Sequence, residues 1–574
     1  MTSSRTPKTG NSGQTGARPE TSPRNGVGRR AWMKQAAGVI GGAAVTGVTA
    51  PVPPVEAAAA ATTTGTHVET TSRDVVETTS GRVRGFSRNG VHIFRGIPYG
   101  ETTAGAGRFM PPKKAAAWTG VRSSTSWGPV SPHAPRTGWV NDEEQFLYQW
   151  DDGFAGEDML RMNVWTPAVN DSRRRPVLVW IHGGGFSSGS SQELRPYDGE
   201  RLATQHDTVL VSMNHRLNVF GFLDLSQAGG EPYAKSGNAG MLDLVLALEW
   251  VRDNIGRFGG DPGNVTIFGQ SGGGRKVSTL LAMPAARGLF HKAAVFSGSH
   301  IRQNTPDQTL RQTRAVLQAL NITGSDLRRL QEISMDDLLN AGIKGQAAVT
   351  TPPVGWGPVV DGAVLPQHAF DPAAPALAAN IPLLVGNTYA EMGGGINNPS
   401  AAELTLDQLR TKLQPLLGAR TNDAVAAYQK VFPKAQPFEI WGVIQGTRSY
   451  RLNAITQADL KSAQPAPVYM YWFGWKTPVL DGRPLPYHCQ DLAFWFDNIE
   501  LAAQATGGTA DARALAAQMS GALVAFAKTG KPAHAGLAEW PAYTPATRPT
   551  MVFENERASV KNDPDKEARA LVAG

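Results

Sequence analysis

Asn264-Val265-Thr266-Ile267-Phe268-Gly269-Gln270-Ser271-Gly272-Gly273 is the stretch on which the reading of this 574-residue chain turns. Residues 264–268 are short, apolar and β-branched, as expected of a strand buried on both faces. A Gly-x-Ser-x-Gly turn follows, and residues 277–283 then carry a helical pattern. A serine on a tight strand-to-helix turn projects its hydroxyl above the sheet, and the helix N-terminus favours a developing negative charge. The chain has 63 glycines, so the bare pattern is expected about once by chance. It also occurs at Gly185-Phe186-Ser187-Ser188-Gly189. That second serine leads into Ser190-Ser191 and reads as loop, so context selects Ser271 as the nucleophile.

Moving outward, residues 176–181, 208–212, 293–296 and 381–385 are further short apolar runs, and residues 241–258 and 310–320 carry helical patterns. Strand–helix alternation predicts an α/β fold with a mostly parallel central sheet flanked by helices. The Pro/Ala-rich stretch 349–379 reads as a long surface excursion. His182-Gly183-Gly184-Gly185-Phe186 follows the strand ending at Ile181. Three glycines let backbone N–H groups point into a cavity where an oxyanion could form. The plain alternative is a glycine-rich turn. A phosphate loop is disfavoured, because the chain has no G-x-x-x-x-G-K-[ST].

Other motifs run through most of the chain. They include Phe94-Arg95-Gly96-Ile97-Pro98-Tyr99, Glu157-Asp158-Met159-Leu160 and Asn214-His215-Arg216-Leu217, then Gly237-Asn238-Ala239-Gly240 and Arg257-Phe258-Gly259-Gly260-Asp261-Pro262. In this order they resemble the type-B carboxylesterase family, which includes the cholinesterases, and look like its bacterial para-nitrobenzyl-esterase kind. The resemblance implies an α/β-hydrolase fold with helical and loop excursions over the active site. It implies a serine carboxylic-ester hydrolase with no cofactor and no metal, acting on a small-molecule ester through an acyl-enzyme.

In that fold the nucleophile comes first, then the acid, then the histidine. Five histidines follow Ser271: His291, His300, His368, His488 and His534. Glu391 sits just past the run 381–385 in a Gly-x-x-x-x-Glu segment like the one that carries the family's acid. That leaves His488 and His534 as bases. His488, ahead of Leu492-Ala493-Phe494-Trp495-Phe496, resembles the family's histidine motif, whereas His534 reads as an exposed loop residue. The expected triad is Ser271, Glu391 and His488, with oxyanion donors at Gly184, Gly185 and Gly272. The bland alternatives are a structural histidine and a surface ion-pair carboxylate. Asp481 is a weaker rival acid, and Asp361 matches a structural motif of the family. By loose alignment Pro352, Val354 and Trp356 fall where cholinesterases shape an acyl pocket, and two small side chains there suggest room beyond acetyl.

The chain departs from the family in places. Met159 and Ser131 stand where many relatives carry a disulfide pair. Gln270 replaces a frequent Glu, and Gly272 a frequent Ala. The single cysteine, Cys489, adjoins His488 and reads as a packed structural thiol. Rival functions include an amidase, carbamate hydrolase or lipase using the same triad, and a non-catalytic binding protein. Lys528-Thr529-Gly530 matches a β-lactamase element, but no Ser-x-x-Lys accompanies it.

Charge completes the reading. Lys and Arg number 55 against 48 acidic residues, a net +7 that invites a nucleic-acid or membrane reading. Residues 1–57 hold seven basic and two acidic side chains, leaving only +2 on the remainder. Within them Arg29-Arg30 precedes an uncharged run, residues 36–50, that is too short to span a bilayer. Val55-Glu56-Ala57 offers a cleavage site. This resembles a twin-arginine export signal, so residues 1–57 are expected to engage export machinery and residues 58–74 to form a linker. Residues 75–574 are expected to form one hydrolase domain. The mature chain is expected to be periplasmic or extracellular, with no stable membrane span and no nucleic-acid partner. Hydrophobic residues at 41% and charged ones at 18% exclude a disordered solvating chain.

Overall fold

The structure is a computed structural model and describes residues 66–135, 142–323 and 326–573. The expected export signal, residues 1–57, and residues 58–65 of the expected linker lie outside the described residues. The strands in the described residues are β1 (Val68–Glu69), β2 (Val75–Thr78), β3 (Gly81–Arg84), β4 (Phe86–Arg88), β5 (Val91–Pro98), β6 (Val121–Ser123), β7 (Arg161–Thr166) and β8 (Arg175–Ile181). They continue with β9 (Val209–Met213), β10 (Gly260–Gln270), β11 (Lys292–Phe296), β12 (Leu383–Thr388), β13 (Val468–Phe473), β14 (Pro549–Phe553) and β15 (Ala558–Asn562). Twelve form one sheet in the order β1-β4-β5-β7-β9-β8-β10-β11-β12-β13-β14-β15, and β2, β3 and β6 form a small second sheet. From β9 to β14 every neighbouring pair is parallel, while both flanks are antiparallel. The folded part begins before Val75. β1 pairs with β4, and Asp74 is buried, its carboxylate accepting from the Ser87 hydroxyl at 2.6 Å.

Both faces of the parallel strands are covered, which is why their sequences read as continuous apolar runs. Along β8, Val177, Val179 and Ile181 point into one core with Met241, Leu244 and Val251 of helix Ala239–Asn254. Leu178 and Trp180 point into the other with Leu515, Met519 and Phe526 of helix Ala510–Thr529. The elements follow the sequence pattern with shifted ends. The helix after Ser271 starts at once, as Gly272–Leu280, and the 310–320 pattern belongs to helix Pro306–Ala319, opened by a Thr305/Gln308 capping box. Residues 349–379 are more than a surface excursion: Val354, Trp356, Val359, Leu365 and Phe370 are buried. An apolar side chain every few residues pins that irregular chain to the core.

One buried ion pair ties the sheet to a covering helix. Arg216, just past β9, donates to Asp243 of helix Ala239–Asn254 through Nη2 (2.6 Å) and Nε (2.9 Å), and its backbone N–H donates to the same carboxylate. Both side chains are sealed from solvent. Removing one partner of such a pair strands a buried charge, at a cost of about 3–5 kcal/mol. Asp243→Ala is therefore expected to lower the free energy of unfolding by that order in equilibrium denaturation. A loss below about 1 kcal/mol would show that the arginine finds other compensation.

Candidate active site

β8 is flanked by β9 on one side and β10 on the other, so the strands that follow it in the chain are laid down on opposite sides of it. In open α/β sheets such a switch point opens a crevice at the carboxyl ends of the strands. The register pairs Phe268 with Trp180 and Gly269 with Ile181. The segment after β8 and the turn after β10 therefore emerge side by side. The first is the triple-glycine loop, and the second carries Ser271.

Ser271 adopts φ 57° and ψ −122°, a strained conformation for a residue with a side chain. Its own N–H donates to the Phe296 carbonyl at 2.9 Å, and its carbonyl accepts from Arg275 N–H at 3.0 Å. These bonds tie the turn to β11 and to the new helix. Gly184 and Gly185 are at φ 77° and 63°. A Cβ on Gly184 would lie 2.2 Å from the Ser188 carbonyl oxygen, so only glycine fits. Gly272 is as tightly confined: a Cβ there would lie 2.1 Å from the Gly185 carbonyl oxygen. Among the described residues, the N–H groups of Gly184, Gly185 and Gly272 donate to no other group.

Glu391 follows the end of β12 and is buried at φ 50°. Its Oε2 lies 2.5 Å from His488 Nδ1. Its Oε1 accepts from the Ser297 hydroxyl (2.7 Å) and from Thr388 N–H (2.8 Å). The backbones of the two residues also meet, with His488 N–H donating to the Glu391 carbonyl at 3.1 Å. Tyr148 donates to the His488 carbonyl at 2.5 Å. The carboxylate and the ring are thus fixed from both sides. A second buried carboxyl, Asp491, accepts from the Tyr471 hydroxyl at 2.7 Å, and burial pushes its pKa up to about 6.

Among the described residues, the His488 ring hydrogen-bonds to Glu391 and Gln270 and not to Ser271. The Gln270 amide lies across the imidazole, with Nε2 3.2 Å from His488 Nε2. The Ser271 hydroxyl instead interacts with the hydroxyl of Tyr450. The Tyr450 ring packs against His488, with centroids 4.9 Å apart. Burial above all, then the charge of Glu391, raises the Tyr450 pKa above its ordinary value. Tyr450 sits in the π-helical turn Thr447–Arg451, a distortion often found at functional sites. Nothing in its sequence neighbourhood marks it, and a π-turn has no simple spacing signature. Cys489 packs against the core beside Tyr487 and Ala493, as expected of a structural thiol. At φ 72° its Sγ donates to Gln270 Oε1 at 3.1 Å, so it meets the histidine through that amide.

The rivals fall elsewhere. Ser187 lies in the turn closing the glycine loop, its N–H donating to Gly184 and its carbonyl accepting from Asn218. His534 bonds the Gln518 carbonyl at 2.9 Å. Asp481 is exposed on the turn Val479–Gly482. Asp361 accepts from Ala363 N–H, Leu365 N–H and Asn238, a structural turn. Lys528-Thr529-Gly530 is the end and cap of helix Ala510–Thr529. Met159 and Ser131 are both buried, and the Ser131 hydroxyl accepts from Leu217 N–H. Of the three acyl-pocket residues, Trp356 lines a cavity of about 240 Å³ with Ser187, Asn218 and Val219. Val354 is buried outside that lining, and Pro352 is exposed with its carbonyl taken by Arg311. Pro352 is therefore no wall of this cavity. Among the described residues no cluster of His, Cys, Asp and Glu could hold a metal ion, and no helix is long and apolar enough to cross a membrane.

Comparison with known proteins agrees with this architecture. The model of the carboxylesterase family matches residues 72–572. The para-nitrobenzyl esterase of Bacillus subtilis is 36% identical over 504 residues, covering 87% of this chain and 98% of that protein. The phenmedipham hydrolase of Pseudarthrobacter oxydans is 30% identical over 502 residues, covering 86% and 97%. A crystal structure of a Geobacillus stearothermophilus carboxylesterase superposes with a TM-score of 0.73 at 37% identity, over 87% of this chain and all of that one. The chain belongs to the carboxylesterase family, has the α/β-hydrolase fold, and is a carboxylic-ester hydrolase.

Proposed function

We propose that this enzyme cleaves small to medium carboxylic esters through Ser271, His488 and Glu391 and a covalent acyl-enzyme. The observation that carries the reading is the Glu391–His488 pair, buried beside a strained serine and three unused N–H groups. Ser271 Oγ attacks the ester carbonyl as His488 Nε2 takes its proton, and the electron pair moves onto the carbonyl oxygen. Glu391 orients the ring and stabilises its protonated form. The N–H groups of Gly184, Gly185 and Gly272 receive the oxyanion. Collapse expels the alcohol, which takes the proton from His488, and water repeats the cycle on the acyl group. Hydrogen bonds between nucleophile and base often close only when substrate binds. Here closure means the Ser271 hydroxyl turning to His488 Nε2, while the Gln270 amide stays over the face of the ring.

Ser271→Ala is expected to leave a folded protein without measurable turnover across p-nitrophenyl esters of increasing chain length and their amide and carbamate analogues. The parent should act on the esters first and accept acyl groups beyond acetyl. Near-parental turnover by the variant would refute the nucleophile, and stronger cleavage of the amides or carbamates would change the substrate class.

Gly272→Ala is the second test. Its added methyl meets the Gly185 backbone, so kcat should fall, but by less than the roughly 10²–10³-fold typical of losing one oxyanion donor, because the backbone N–H remains and relatives often carry Ala at this position. Unchanged kcat would mean that the loop can move without consequence.

We also infer that the precursor is exported, on the strength of Arg29-Arg30, the uncharged run 36–50 and the site at Val55-Glu56-Ala57. Replacing Arg29 and Arg30 together by Lys is expected to trap the uncleaved precursor in the cytoplasm of an expressing bacterium. Continued release would refute the export signal.

A further inference from the structure

Lys276 lies five residues beyond Ser271 on the helix Gly272–Leu280, and its side chain is fully buried. An ammonium has three donors and no acceptor. Its Nζ donates to the carbonyls of His182 (3.1 Å) and Gly183 (3.4 Å). It also lies 5.8 Å from the centre of the Phe186 ring, within the range of a cation–π contact. These three contacts fall on the triple-glycine loop and on the residues at its two ends.

The peptide plane links this to catalysis. The Gly183 carbonyl and the Gly184 N–H belong to one planar trans unit and point in opposite directions. A donor that holds the carbonyl on the helix side therefore aims the Gly184 N–H away from the helix interior. Three successive glycines have little conformational preference of their own, so such a loop needs an external hold.

The charge environment singles the lysine out. Burial lowers its pKa to about 7, opposed by the charge of Glu193. Burial above all, and then the lysine's charge, drives His215 well below its ordinary value. His215 therefore stays neutral beneath His182, the two rings 4.7 Å apart. An apolar side chain would fill the same space without this desolvation cost.

We propose that Lys276 is a positioning residue for the oxyanion hole: by holding the His182 and Gly183 carbonyls it fixes the peptide that presents the Gly184 N–H to the reacting carbonyl oxygen. The inference rests on the triad and oxyanion-hole reading above. Lys276→Met keeps the length and removes the donors. It is expected to lower kcat by about 10- to 100-fold, less than deleting a donor outright, with KM within about threefold. The affinity for a trifluoromethyl ketone, whose adduct with Ser271 places an oxyanion in the same hole, should fall by a similar factor. The melting temperature should fall, because the His182 and Gly183 carbonyls lose a donor and the buried Glu193 loses an opposite charge, so the ketone affinity is the readout that separates positioning from stability. Lys276→Gln, which retains a shorter donor, should fall between the parent and Lys276→Met, and it serves alone if the methionine variant does not fold. The proposal is overturned if a folded variant keeps kcat and ketone affinity within about twofold of the parent. It is equally overturned if kcat falls while ketone affinity does not. Ser271→Ala separates the two layers. Activity in that variant would remove the triad reading, whereas an inactive Ser271→Ala beside an unaffected Lys276→Met would remove this inference alone.

Discussion

The pairing of Ile181 with Gly269 brings β8 and β10 to the same level at the carboxyl edge of the sheet. Neighbouring strands lie only about 4.8 Å apart. Two segments must then turn within that spacing: one bends into a helix and the other loops away toward β9. There is no room for side chains between them. A Cβ on Gly272 would strike Gly185, and one on Gly184 would strike Ser188. Close approach of two backbones gives the site its glycines, its positive φ angles and its unpaired N–H groups.

The remaining groups come from other strand ends of the same parallel sheet. Glu391 follows β12, and His488 follows β13 after a long excursion. Their hydrogen bond links residues 97 positions apart. Apolar layers on both faces hold the strand ends in place, and the buried Arg216–Asp243 pair ties one covering helix to the sheet. The strain at Ser271, Glu391 and Cys489, all non-glycine residues at positive φ, is sustained by that frame.

Several polar groups behind the site engage one another. Gln270 meets both His488 and Cys489, Tyr450 packs on the His488 ring, and Lys276 holds the loop carbonyls. In a low-dielectric interior such contacts orient reacting groups more firmly than water would. Gln270 is uncharged, where a carboxylate would add a negative charge against the His488 ring that Glu391 already holds.

Much of this was legible in one dimension. Strand runs and the Gly-x-Ser-x-Gly context are local signals, because turn chemistry and burial on both faces write themselves into neighbouring residues. The family motifs carried the acid and the histidine that local chemistry left open between His488 and His534. Tertiary structure alone decided what depends on side chains meeting across the fold. Tyr450 sits in a π-turn with no spacing signature, and Lys276 looks like an ordinary helical lysine until its carbonyl partners are seen. Cys489, at φ 72°, meets Gln270, and Pro352 is exposed. The physical reason is distance along the chain: the Gln270–Cys489 contact spans 219 residues, and no local pattern encodes it.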